Sequence, residues 1–537
     1  MDRRTFLSAL GAAVWSGSRI TLAGAAERGP SAAAAEAIHL TVERTSLQLG
    51  GRVRTATAVN GTVPGPVVTL REGTTARIVV ANRLTVPTSV HWHGLRLPAD
   101  QDGVPGLSFR GIAPGESFTY EFPVRQSGTY WYHAHSGMQE QTGLIGPLIL
   151  LPSGAEIAPY DREYIVMLSD WSDEEPMKVL SNLKQESDYY NRHRQTLSAF
   201  LKETCHDGLR ATIDDRLMWG QMRMSPTDIM DVTGATYTFL MNGLAPSASW
   251  TGLFEPGERV RLRFINGAAM TTFDVRLPGL ELQVVAADGS AVEPVSIEEF
   301  RMGVGETYDV IVELREDRAY TIFAQAQDRS GFALGTLAPR VGMKGNVPPL
   351  DPRPVRTMSD MGMGRAAPSR ALLGRPFVDN VVQAPQARLS EPGDGLTGNG
   401  RRVLVYSDLK SLSPDPDTRV PSREIEFHLT GNMQRYVWGF DGKKFSDAGP
   451  MRLALGERVR FVLVNDTMME HPIHLHGFLF SLENGQSGRL PRKHTVQVKP
   501  AERLSFSFTA DTPGYWAFHC HLMYHMDSGM FRTVLVA

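Results

Sequence analysis

Short runs of alternating apolar and polar residues recur along most of the chain. Residues 76–80, 117–122, 129–133 and 146–150 are early examples, separated by Gly- and Pro-bearing turns. A period of two marks strands with one buried face, and evenly spaced short strands of this kind predict a β-sandwich over 38–155. A second set, at 164–168, 259–265, 282–286 and 308–312, opens and closes the segment 156–345. Residues 176–224 interrupt that set. They are polar and charged, with no Pro from 177 onward, and predict a helical insertion of two or three helices in the middle unit. The segment 346–402 is rich in Pro, Gly, Arg and Ala, has no sustained period, and reads as a linker carrying Met358, Met361 and Met363. Strands resume over 403–537, at 403–406, 424–429, 458–463 and 504–508. Three sandwich units are expected, and a weak internal echo agrees: PGESFTYEF at 114–122, PGERVRLRF at 256–264 and LGERVRFVL at 455–463 resemble one another.

The N-terminus departs from this pattern. Arg3 and Arg4 precede a modest, Ala-rich apolar stretch that ends in Ala23-Gly24-Ala25-Ala26. Paired arginines, a short apolar run and a small-residue exit predict a twin-arginine export signal over 1–26 and delivery to the periplasm. Arg19 interrupts the apolar run, which argues against a membrane span. The length of 537 residues exceeds one ordinary core, and a net charge of −3 gives no reason to expect nucleic acid or a membrane surface as partner. The chain is expected to act as a monomer.

Of fifteen histidines, ten fall in four windows. These hold His91 and His93; His133 and His135; His471, His474 and His476; and His519, His521 and His525. Each window contains a His-x-His pair. On a strand, residues two apart share a face, about 6.5–7 Å from each other. Four such pairs offer eight imidazoles, which divide as three, three and two around three neighbouring metal ions if the first and last units meet. Cys520 lies between His519 and His521, so it points to the opposite face and serves a different metal. With His471, His525 and Met530 it makes a His₂Cys set with a weak thioether, the donor set of electron-transfer copper rather than zinc. Cys520 therefore links the two centres through the backbone to His519 and His521, and four copper ions match the four electrons that reduce dioxygen to water. Only one other cysteine exists, Cys205 beside His206. A disulfide is the default in an exported chain, but Cys520 has metal-binding work, and Cys205 is read as a lone thiol in the helical insertion.

These motifs, HWHG (91–94), HAHSG (133–137), HPIHLHG (471–477) and HCHLMYHMDSGM (519–530), resemble those of the multicopper oxidases. DGVPGLSF (102–109), DRLMWGQMRM (215–224) and MSDMGMG (358–364) look like the copper-resistance protein A branch. The resemblance implies an all-β chain of three cupredoxin-like Greek-key β-sandwich domains. It also implies four copper ions. His471, Cys520 and His525, with axial Met530, would hold type 1 copper, and His91 and His474 type 2 copper. His93, His133 and His521 would hold one type 3 copper; His135, His476 and His519 the other. Asp102 matches an acidic residue that relays protons to the cluster; a turn-capping Asp before Gly103 is the plainer reading. The linker offers fewer methionines than the repeats often found in relatives. The expected reductant is Cu(I), for copper resistance, since thioethers favour it and Met468, Met469, Met523 and Met526 flank the type 1 ligands. The alternatives are a laccase-like phenol oxidase and a copper-sequestering protein.

Overall fold

The computed structural model describes residues 37–49, 51–156, 158–222, 224–362, 372 and 375–537. Residues 1–26, where an export signal is expected, and Met363 lie outside the described residues. Strands dominate, arranged in six sheets that pair off along the chain. Residues 38–151 build two four-stranded sheets. One places Ile38–Leu49 parallel to Thr75–Asn82; the other carries His91–His93 at its edge, beside Gly128–His133. Residues 162–338 build a six-stranded and a five-stranded sheet, and residues 423–536 build another pair of the same sizes. Alternation explains the packing. In Thr75–Asn82, Ala76, Ile78, Val80 and Asn82 are buried while Thr75 and Arg77 face outward. Trp92, between its two histidines, turns into the core of the first sandwich, with its ring 5.2 Å from that of Tyr120.

The predicted helical insertion consists of three helices, Pro176–Gln185, Leu197–Asp207 and Leu209–Met222. A fourth short helix, Met523–Asp527, follows the Cys520 strand. Among the described residues no helix is long and apolar enough to cross a membrane.

One predicted strand is corrected. Residues 403–406 do not form one: Val403 makes an isolated bridge to Glu299, and Tyr406–Asp408 is a 3₁₀ turn. Val403 and Leu404 are buried nonetheless, with the Leu404 amide donating to the Glu299 carbonyl at 2.9 Å. An apolar run here reflects burial between units rather than a place in a sheet.

The first and third sandwiches meet directly. The Arg96 guanidinium contacts Asp511 at 2.6 Å, and a Cβ on Gly514 would fall 2.3 Å from that of Ala99, so the backbones can approach only because Gly514 has no side chain. This contact brings the two early His-x-His strands against the two late ones.

Candidate metal centre

Register fixes the histidines in pairs. His91 lies opposite His133 across the antiparallel ladder of the first sandwich, and His474 lies opposite His519 in the third. Directly opposed residues bring their side chains together; the ring centroids are 5.3 Å and 5.8 Å apart. Contacts between sandwiches are as short, with His93 and His521 centroids at 4.8 Å and His135 and His519 at 5.2 Å. Ligand-capable nitrogens of His93, His133 and His521 lie within 4.8 Å of one another, as do those of His135, His476 and His519, and of His91, His93 and His474.

The rear nitrogen of most rings is already spoken for. His91 Nδ1 donates to the Asp102 carbonyl (2.8 Å), His133 Nδ1 to Glu140 Oε2 (2.6 Å), and His474 Nδ1 to the His494 carbonyl (2.7 Å). His476 Nδ1 donates to Asp102 Oδ2 (2.8 Å) and His519 Nδ1 to the Cys520 carbonyl (2.9 Å). A neutral imidazole has one N–H, so each Nε2 presents a lone pair. Those of His91, His133, His135 and His474 are buried without a partner. The Nε2 atoms of His476 and His519 face each other at 3.0 Å. Two lone pairs so placed repel unless a cation lies near both. The residues therefore fit a cluster of metal ions held by Nε2, with His93 reversed: its Nε2 meets Thr495 Oγ1 (3.2 Å) and its Nδ1 faces His521 (3.3 Å). The carboxylate of Asp102 also sits among His91 and His476, but it meets their Nδ1 atoms from behind. It is an orienting partner, not a ligand.

Cys520, on the other face of its strand, is buried. Its Sγ lies 3.5 Å from His471 Nδ1 and 3.8 Å from His525 Nδ1, and those nitrogens are 3.2 Å apart. The rear nitrogens are again fixed: His471 Nε2 donates to Thr467 Oγ1 (2.7 Å) and His525 Nε2 to Asp231 Oδ2 (2.5 Å). Trp438 stacks on the His525 ring at 3.9 Å. Met530 is fully buried, and its carbonyl accepts the Cys520 amide at 3.1 Å. One thiolate and two imidazoles converging from a dry site suit copper. Burial pushes the Cys520 thiol well up, so losing its proton there requires a bound cation.

Burial, then the neighbouring imidazoles, hold His93, His133, His135, His471, His474, His476 and His521 well below the usual histidine range, and burial pushes His519 and His494 down to about 4. These rings are neutral and ready to bind metal. The unfolded chain takes up protons at these sites first, from about pH 6.5 downward. Their contribution to stability is thus complete above pH 6.5 and is lost as pH falls toward the folded values. His519 alone represents about 3 kcal/mol across that window, and the other rings act in the same direction. The copper-free protein is expected to lose stability as pH falls from about 6.5 toward 4. Urea midpoints measured from pH 7 to 4 should fall steeply, and a flat profile would contradict this assignment.

The ten histidines and Cys520 converge, and Asp102 reaches the same cluster. Sequence reasoning missed the partners behind the ligands: Glu140, Asp231, Thr467, Thr495 and His494. His494 is buried with its ring 4.7 Å from that of His93. No spacing rule marks these residues, since each is delivered by the fold. Of the methionines, Met361, Met468, Met469 and Met523 are buried, and Met358 and Met526 are half-buried. Cys205 is an exposed free thiol.

Comparison with known proteins agrees with this geometry. Family models described as "Multicopper oxidase" match residues 41–154, 162–338 and 418–537. The chain is 51% identical to a copper resistance protein A homolog of Pseudomonas syringae pv. tomato, over 93% of this chain and 92% of that one. It is 49% identical to copper resistance protein A of Escherichia coli, with the same coverage. Among solved structures, a multi-copper oxidase from Pseudomonas thermotolerans superposes with a TM-score of 0.61 at 22% identity, over 94% of this chain and 99% of that one.

Proposed function

The chain belongs to the copper-resistance protein A branch of the multicopper oxidases, and from that membership we propose that it oxidises Cu(I) to Cu(II) with dioxygen as acceptor, in the service of copper resistance. Multicopper oxidases are oxygen-using oxidoreductases, and that class is shared by this chain. The proposal concerns its electron donor.

The observation that carries it is a small cavity beside His525. Met230, Met270 and Met469 line it with Asp231 and Glu470, and its volume is about 20 Å³. A site needs about 10–15 Å³ to admit one water, whereas organic ligands occupy clefts on the order of 300 Å³ or more. This cavity has room for a bare ion and none for a phenol ring. Its chemistry agrees, because thioethers select Cu(I). Asp231 Oδ2 accepts from both His525 Nε2 and the Tyr436 hydroxyl (2.7 Å), while its buried Oδ1 has no hydrogen-bond partner among the described residues. A cation there would satisfy that oxygen one side chain away from the Cys520 centre.

In this reading His471, Cys520, His525 and Met530 hold type 1 copper and His91 and His474 type 2 copper. His93, His133 and His521 hold one type 3 copper, and His135, His476 and His519 the other, four ions in all. Bound there, copper supplies one-electron redox chemistry and the capacity to collect four electrons. The chain supplies the rest. Cys520 is covalently joined to His519 and His521, so the path between the two centres runs through adjacent residues. Asp102, Glu140, Thr495 and the backbone carbonyls keep each ring aimed. The layout that goes with this function is an export signal at 1–26 leading to the periplasm, cupredoxin-like domains at 38–155, 156–345 and 403–537, and the segment 346–402 between the last two.

The test is oxygen uptake by copper-loaded protein with Cu(I) as sole donor, beside 2,6-dimethoxyphenol. Rapid uptake with Cu(I) is expected. Met230→Leu combined with Met469→Leu should lower kcat/KM for Cu(I) about tenfold or more, by removing the soft donors, and leave phenol turnover unchanged. Fast phenol turnover with negligible Cu(I) turnover would replace this reading with a laccase-like one.

A further inference from the structure

We propose that a second, arginine-lined cleft on the third sandwich, rimmed by Arg96 of the first, binds a small organic carboxylate, held at Arg492 with its apolar body against Phe478 and Leu479. This site is separate from the copper ligands and does not rest on the identity of the electron donor.

The cleft measures about 450 Å³, within the range of about 300–1,000 Å³ typical of small-molecule sites. Charge accounting around it leaves one cation over. Asp415 pairs with Arg458 at 3.1 Å, Asp417 with Arg419 at 2.6 Å, and Asp511 with Arg96 at 2.6 Å. All three acids that line the cleft are thus taken. Arg492 lines it too and has no carboxylate partner among the described residues. A carboxylate, which a guanidinium can hold through two nitrogens at once, is the group that best balances an unpaired arginine lining a cleft.

Strand geometry explains why Arg492 stands apart. In the short strand Arg492–Lys493, Arg492 lies opposite Ser481, which also lines the cleft, and Lys493 opposite Phe480. Successive residues take opposite faces. Lys493 turns inward and pairs with Asp288 (3.0 Å) and Glu306 (3.1 Å), whereas Arg492 is left facing the cleft without a counterion. Burial, and then the like charge of Arg96, hold the Arg492 guanidinium below its ordinary range, the direction a missing anion produces. Phe478 and Leu479 supply an apolar wall that neither chloride nor inorganic phosphate would use. An aromatic or branched monocarboxylate uses both the fork and the wall.

Isothermal titration of the copper-loaded chain at constant ionic strength tests this, with benzoate, acetate, inorganic phosphate and chloride as probes. Saturable binding of one benzoate per chain is expected, about tenfold tighter than acetate. Arg492→Gln should weaken benzoate at least tenfold without changing copper content or Cu(I) oxidation. Arg492→Lys, which keeps the charge but not the fork, should fall between. Absence of saturable benzoate binding overturns the proposal, as does equal affinity in Arg492→Gln. Phosphate or chloride saturating the site while benzoate does not, or acetate matching benzoate, overturns the assignment to an organic carboxylate.

Discussion

Cys520→Ser will reduce oxygen uptake to the buffer background with Cu(I) and with a phenol alike, and the protein will bind one equivalent of copper fewer. Serine is nearly isosteric, and Cys520 sits in a fully paired strand whose amide bonds to the Met530 carbonyl, so the fold and the eight clustered imidazoles are retained. What disappears is the soft thiolate. A serine hydroxyl is a hard, essentially un-ionised donor, and His471 and His525 alone do not make the trigonal set that electron-transfer copper requires. Donors would then have no entry point, whatever their chemistry. This makes the variant a test of the centre rather than of the substrate. Copper analysis beside oxygen-electrode traces decides it, and retained turnover with either donor would mean that electrons enter elsewhere.

The same strand shows what was legible in the sequence. Alternation alone places His519 and His521 on one face and Cys520 on the other, and four repeats of the His-x-His spacing specify a cluster without any knowledge of the fold. The register that sets His91 against His133, and His474 against His519, follows from sheet pairing and could be anticipated only as a requirement that the first and last units meet. The orienting groups were invisible for a physical reason. Asp231 reaches His525 across 294 positions, and Asp288 accepts from the His494 amide across 206; such contacts are tertiary and leave no local period. The misread run at 403–406 has the same origin, since Val403 and Leu404 are apolar because they are buried between units, and burial by itself does not distinguish a strand from a tethered loop.

Asp102 is where positioning and proton delivery can be separated. The carboxylate accepts from His476 Nδ1 and lies 3.3 Å from His91 Nδ1, while its own backbone carbonyl accepts from His91. Its place is fixed by Gly103, which has φ +79° and where a Cβ would come within 1.9 Å of the Val90 carbonyl oxygen, so the Asp102 side chain is held against the cluster by a turn that only glycine permits. Asp102→Ala removes the acceptor, freeing the His476 ring, and should weaken copper retention and activity together by about 10–100-fold, the range for loss of a group behind a metal ligand. Asp102→Asn keeps an oxygen that can accept from His476 but cannot carry a proton. If Asp102 only orients the ring, the Asn variant should regain full copper content and most of the activity lost in Ala. If it also passes protons to the site of oxygen reduction, as we expect, the Asn variant should bind copper normally yet remain at least about a hundredfold slower, within the range for general acid catalysis, and its rate should fall further as pH rises. Copper content and the pH–rate profile of the two variants, measured together, distinguish these outcomes, because a purely orienting role would leave the profile of Asp102→Asn parallel to that of the unaltered protein.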